Sequence, residues 1–180
     1  PGSSHLEASL RGIVDVSLVP PVHITPSELE NPLVVDVGAF RARHLRLPTP
    51  GEVGCALAHR AVYELIVEGP RQWALVFEDD AVLDNPGLFK ARLEAYERVL
   101  DADDPIVINV NIHAIPQSRR KLRSSGLMPV RIPPYPATAY AINKSAAALF
   151  LRHQEPIRSQ ADWPTLVASR ETRRPGSTTA

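Results

Sequence analysis

Trp73-Ala74-Leu75-Val76-Phe77 runs without a break into Glu78-Asp79-Asp80. Five consecutive apolar residues suit a strand covered on both faces, because a half-covered strand alternates apolar and polar positions. The switch to three carboxylates marks where that strand stops. Upstream, Thr49-Pro50-Gly51-Glu52 reads as a helix start, with Thr49 as N-cap, Pro50 at the first helical position and Glu52 closing a capping box. Val53, Ala56, Leu57, Val62, Leu65 and Ile66 then recur at helical spacing until Gly69-Pro70 ends the run. Downstream, Pro86 to Leu100 is a second amphipathic helix with Leu88, Phe89, Leu93, Tyr96, Val99 and Leu100 inward. Ile106 to Ile112 reads as another buried strand, Thr138 to Ile142 as a further one, and Ser145 to His153 as an alanine-rich helix.

Weaker elements surround this centre. Thr25-Pro26-Ser27-Glu28 repeats the capping pattern ahead of a turn or two of helix that Pro32 must stop. Ile13 to Val19 and Leu33 to Val37 have strand composition. Pro116 to Pro136 reads as a long loop around one short strand at Val130 to Ile132, and a short helix is predicted from Ala161 to Arg170. Strands alternating with helices predict an α/β domain with a central, mostly parallel sheet flanked by helices. Residues 1–12 read as a flexible N-terminal segment, 13–170 as the domain and 171–180 as a disordered tail. In sheets of that kind ligands gather at the carboxyl ends of the strands, which is where Glu78-Asp79-Asp80 stands.

The chain has 180 residues, about one domain's worth, and its apolar fraction of 44 % and charged fraction of 22 % are ordinary for a globular protein. Twenty basic residues balance twenty acidic ones. That removes any global electrostatic drive toward nucleic acid, and the 6 % aromatic content offers few stacking platforms. No apolar run approaches the roughly 20 residues of a membrane span, and no signal segment opens the chain. Cys55 is the single cysteine, which excludes an internal disulfide and a cysteine-based zinc framework. A cytoplasmic location is the default expectation.

In an extended Glu78-Asp79-Asp80, alternate side chains share a side, so Glu78 and Asp80 point one way and Asp79 the other. Two carboxylates on one side suit a hard divalent cation such as Mg²⁺ or Mn²⁺, which can bridge a nucleotide diphosphate and offset charge on a leaving group. The competing reading is a solvated strand end. Gly51, Gly54 and Ala58 are small enough for the start of the helix at Pro50 to approach a ligand or another backbone closely. Cys55 and His59 lie one helical turn apart and can face the same way. Two residues are too few for a metal site, and Cys55 reads as a small buried side chain. The run Arg119-Arg120-Lys121-Leu122-Arg123 is either a clamp on a diphosphate or a solvated loop. His113 reads as a structural histidine.

Four blocks, taken together, resemble glycosyltransferase family 25, which includes bacterial lipooligosaccharide galactosyltransferases and relatives of the collagen galactosyltransferases. They are Pro50 to His59, Trp73 to Asp80, Thr138 to Ala147 and Asp162-Trp163, in the family's order across roughly Leu47 to Trp163. The resemblance implies a GT-A-like fold, a UDP-hexose donor (usually UDP-galactose), and inverting, metal-assisted transfer to a glycan or small-molecule hydroxyl. It places Glu78 and Asp80 as ligands of Mn²⁺ or Mg²⁺. It assigns Asp79, Gly54, His59, Asp15, Arg119 and Arg120 to the donor, and Tyr140 and Trp163 to the acceptor. Asp162 is either the base that deprotonates the acceptor or a residue that binds it. Family members usually begin with a strand reading Ile-Asn-Leu followed by Arg-rich residues, and Ile13 to Leu18 is the nearest counterpart here. The alternative is a non-catalytic homologue that binds a sugar, a nucleotide or a partner protein.

Overall fold

Thr49 caps the longest helix among the described residues. Its hydroxyl accepts from the Glu52 amide, the Glu52 carboxylate accepts from the Thr49 amide at 3.0 Å, and Pro50 supplies the pre-set first position. The computed structural model describes residues 2–110 and 137–161, with side chains from Leu6 onward. In chain order its elements are α1 (Gly2–Leu10), α2 (Pro26–Leu29), α3 (Val37–His44), α4 (Pro50–Glu68), β1 (Trp73–Phe77), α5 (Pro86–Leu100), β2 (Val107–Asn109), β3 (Ala139–Asn143) and α6 (Lys144–His153). The helices read at Pro26, Pro50, Pro86 and Ser145 all form, each behind a polar N-cap.

The sheet has strand order β1-β3-β2, and both pairings are antiparallel. This corrects two expectations. The described sheet is not mostly parallel, and Trp73 to Phe77 is an edge strand of it. β3 takes the centre, with all five residues buried. The reason is visible in the connection. The β1-α5-β2 crossover leaves β1 and β2 pointing the same way, and β3 slots between them in the opposite direction. A long apolar run signals cover on both faces, and an antiparallel sheet sandwiched between helices meets that condition as well as a parallel one does.

The cover is real on both sides. On one face Val76, Tyr140 and Ile142 pack against Tyr63 and Ile66 of α4 and Ala146, Ala147 and Phe150 of α6. On the other, Ile108 and Ala141 meet Tyr96 and Leu100 of α5. Alanines at 141, 146 and 147 let backbones approach across these layers. Asn143 joins them at the edge: fully buried, its Oδ1 accepts from the Ile106 and Ala146 amides while its Nδ2 donates to the Ala102 and Asp104 carbonyls. One side chain thus caps α6 and fixes the turn into β2.

A second cluster, Val35, Val53, Ala56 and Ile157, seats the front of α4 on the segment before α3. Leu33 to Val37, read as a strand, makes a single parallel bridge at Val35 to Ile157, and Val37 already begins α3. Ile13 to Val19, also read as a strand, is turn and irregular chain outside the sheet, with Val16 and Leu18 exposed. Gly2–Leu10 forms a helix whose Leu6 and Leu10 pack with Ala81 and Phe89. The basic run at 119–123, His113, the strand read at Val130 to Ile132, all but the first residue of the helix read at Ala161 to Arg170, and the tail lie outside the described residues.

Candidate functional site

The site grows from the carboxyl end of β1. Phe77 pairs with Ala139, and the Glu78 amide extends the ladder by donating to the Thr138 carbonyl at 2.9 Å. The chain then turns: the Ala81 amide donates to the Glu78 carbonyl at 3.1 Å, which puts Asp79 and Asp80 at the two central positions. Alternation along an extended segment therefore does not apply to the triplet. Asp79 and Asp80 are exposed on the turn, and the half-buried Glu78 is directed at α4.

There it meets two side chains one helical turn apart. His59 Nε2 lies 3.3 Å from Glu78 Oε1, and Cys55 Sγ lies 3.8 Å from the same oxygen. Contrary to its reading as a buried residue, Cys55 is exposed. His59 is buried, and its Nδ1 sits 2.7 Å from the Tyr140 hydroxyl, which in turn donates to the Tyr63 hydroxyl at 3.2 Å. His59 Nδ1 is thereby hydrogen-bonded to Tyr140, and the histidine tautomer decides which of the two donates. The histidine ring also stacks on the Tyr140 ring, with centroids 5.8 Å apart. The result is a relay of fixed side chains from the core to Glu78.

The electrostatics follow. The His59 hydrogen bond, ahead of the opposing effect of burial, holds the Glu78 carboxyl below the ordinary glutamate range. Burial pushes the Tyr140 phenol well above its usual value, and the neighbouring Tyr63 adds to the effect. Tyr140 is thus a neutral donor and acceptor across the whole working range of pH.

The remaining sequence candidates fall as follows. Gly54 is buried in α4, and a Cβ built there would lie 2.4 Å from the Val22 carbonyl oxygen, so its small size admits a backbone. Asp15 is exposed and pairs with Arg71 at 3.8 Å, two residues ahead of β1 and at the opposite end of that strand from Glu78. Tyr140 is 5 % exposed, with its hydroxyl held between His59 and Tyr63. Arg119, Arg120, Asp162 and Trp163 lie outside the described residues. Sequence reasoning missed Tyr63 and gave Cys55 no part. The signal was present as Cys55, His59 and Tyr63 at i, i+4 and i+8 on one stripe of α4.

Residues 40–165 match the model of a family described as glycosyltransferase family 25 (LPS biosynthesis protein), a span of more than two thirds of the chain. No curated protein gives a match to the chain.

Proposed function

The chain belongs to glycosyltransferase family 25, and from that premise we propose that it moves a hexose, galactose by preference, from a UDP-sugar to a hydroxyl of a glycan or small-molecule acceptor, with inversion. The observation that carries this reading is the acidic turn at the carboxyl end of β1, inside the matched span, with Asp79 and Asp80 exposed and Glu78 held by His59. In the transfer, the acceptor oxygen bonds to the anomeric carbon as the bond to the diphosphate breaks, and UDP leaves with the bonding electrons. The acceptor proton goes to a carboxylate, for which Asp162 is the proposed base, with Trp163 beside the acceptor.

The donor set of the turn suits a hard cation. It offers carboxylate oxygens, two of them on exposed residues, where an ion that keeps several waters and recruits substrate phosphates can be accommodated. Asp80 and Glu78 would hold Mn²⁺ or Mg²⁺, which when bound supplies positive charge against the departing diphosphate. His59 keeps the Glu78 carboxylate ionised and aimed, and Tyr140 acts through His59. Arg119 and Arg120 remain proposed contacts to the donor phosphates, and Asp79 a proposed donor contact.

A second reading, a non-catalytic homologue that binds a sugar, a nucleotide or a partner protein, has one observation in its favour. Ile13 to Leu18, the counterpart of the family's first strand, stays outside the described sheet, and Asp15 is engaged with Arg71. Calorimetric titration of UDP with and without Mn²⁺, on the wild type and on Asp80→Asn, decides between them. The transferase reading requires each ligand to tighten the other, by the reciprocity of linked binding, and requires Asp80→Asn to abolish that coupling. Absence of UDP binding in every condition selects the second reading, and equal UDP affinity with and without Mn²⁺ removes the cation from the site.

A further inference from the structure

We propose that Cys55, His59 and Glu78 form a site for a borderline-soft divalent cation of the Zn²⁺ class, which shares Glu78 with the hard-cation site proposed above and is set apart from it by its sulfur and nitrogen ligands.

The donor atoms are already gathered. A thiol sulfur, an imidazole nitrogen and a carboxylate oxygen lie within 4.8 Å of one another. Around a tetrahedral Zn²⁺, with bonds of about 2.0–2.3 Å, such ligand atoms stand roughly 3.3–3.6 Å apart. The observed 3.3 Å from nitrogen to oxygen and 3.8 Å from sulfur to oxygen need a contraction of about 0.2 Å at most to reach that range, and the sulfur and nitrogen, within 4.8 Å of each other, must close by up to about 1.2 Å. The ligand set is soft to borderline, which suits Zn²⁺ or Co²⁺ and not Mg²⁺.

The histidine is prepared for the role. His59 presents Nε2 to the Glu78 carboxylate while its Nδ1 is held by the Tyr140 hydroxyl at 2.7 Å. A cation ligated by Nε2 and by Glu78 Oε1 would take the place of the hydrogen bond between them. A hydrogen bond from the second ring nitrogen is also the usual outer-shell support of a metal-bound histidine, fixing its tautomer and orientation. Here Tyr140 provides it, and Tyr63 supports Tyr140 in turn. The three ligands come from two rigid elements, Cys55 and His59 from α4 and Glu78 from the end of β1. Exposed Cys55 gives an entry path from solvent, and three protein ligands leave a fourth position open. Binding converts the thiol to a thiolate and releases its proton to solvent.

The test uses the whole chain and the metal alone, so its outcome does not depend on UDP or on transfer activity. Co²⁺ is titrated in under reducing conditions and followed by thiolate-to-cobalt charge-transfer absorption, and Zn²⁺ is then added in competition. The wild type should take up one equivalent of Co²⁺ with that absorption, and Zn²⁺ should bleach it. Cys55→Ser, at an exposed position where the fold is not at stake, should lose the charge-transfer band, and both it and Glu78→Gln should bind Zn²⁺ at least tenfold more weakly. Asp80→Asn should leave the titration as in the wild type. Absence of the band in the wild type, its survival in Cys55→Ser, or its loss in Asp80→Asn would each overturn the proposal.

Discussion

Gly54→Ala sets two opposed effects against each other inside α4. An alanine in a helix interior is favoured over glycine by about 0.8–1 kcal/mol. Against that, the new Cβ would stand 2.4 Å from the Val22 carbonyl oxygen, whereas ordinary contact begins near 3.4 Å. The obstacle is backbone, so no rotamer change relieves it, and the segment carrying Val22 must lift by about 1 Å. Ile24 lies on that segment and packs into the cluster of Val35, Val53, Ala56 and Ile157, so lifting it loosens that cluster too. Overpacking of this kind costs about 1–3 kcal/mol. Set against the helix gain, the net loss should be roughly 0–2 kcal/mol, or a fall in Tm of up to about 8 °C for a domain of this size. Gly51→Ala is the internal control. Nothing lies within 4 Å of its Cβ position, so the same substitution three residues earlier should stabilise, by up to about 1 kcal/mol. Urea and thermal unfolding of both variants give the comparison. If Gly54→Ala stabilises as much as Gly51→Ala does, residues 20–24 are not seated on α4 and the account of Gly54 fails.

Asn143→Ala removes an N-cap and four hydrogen bonds from a buried position, leaving two amides and two carbonyls without that partner. It should cost about 2–4 kcal/mol in urea unfolding, and a loss under 1 kcal/mol would show that water replaces the side chain. Tyr140→Phe keeps the ring but removes the hydroxyl that is hydrogen-bonded to His59 Nδ1. A destabilisation of about 1–3 kcal/mol is expected, together with weaker cation uptake at Cys55, and an unchanged protein on both measures would refute the relay. Glu52 carries the acid-pH prediction. Its pairing with Arg46, and secondarily its bonds to Gln160 and Thr49, hold its carboxyl far below the ordinary 4.5. A depressed pKa contributes stability above the unfolded value, and that contribution is lost as pH falls toward the folded one. The Tm gap between the wild type and Glu52→Gln should accordingly be widest near pH 7 and shrink below about pH 4.5, whereas a gap independent of pH would contradict the assignment.

The elements legible from sequence were those whose signals are local. Thr49-Pro50-Gly51-Glu52, Asn85-Pro86 and Thr25-Pro26 each declare a helix start through atoms within three residues of one another, and each helix begins there. The apolar run ending at Phe77 implied cover on both faces, which the strand has in part: Val76 is buried and the other four residues are half-buried. Its neighbours were another matter, because strand direction is decided by which distant segment enters the gap, and nothing near Trp73 encodes that β3 arrives from residues 139–143. Ile13 to Val19 shows the opposite failure: strand composition without a partner gives irregular chain. At the site, Glu78 could be found from the acidic step, and the Cys55 and His59 spacing was visible. That Glu78 turns inward while Asp79 and Asp80 turn outward depends on one turn hydrogen bond at Ala81. Burial of Tyr140 depends on α4 and α6 closing over it.

The position of β3 has a consequence for synthesis on the ribosome. β1 and β2 emerge first, yet in the described sheet each bonds to β3, whose residues follow Asn109 by some thirty positions. At roughly 5–20 residues per second, two apolar strands wait about 2–7 s with open edges before their common partner exists. During that interval the nascent chain is at its most adhesive, and α5, already translated between them, is the element able to shield Ile108 and Leu75. Slowing translation between codons 110 and 138 should therefore raise aggregation, while the same delay placed after codon 153, with α6 complete, should leave the yield of folded protein unchanged.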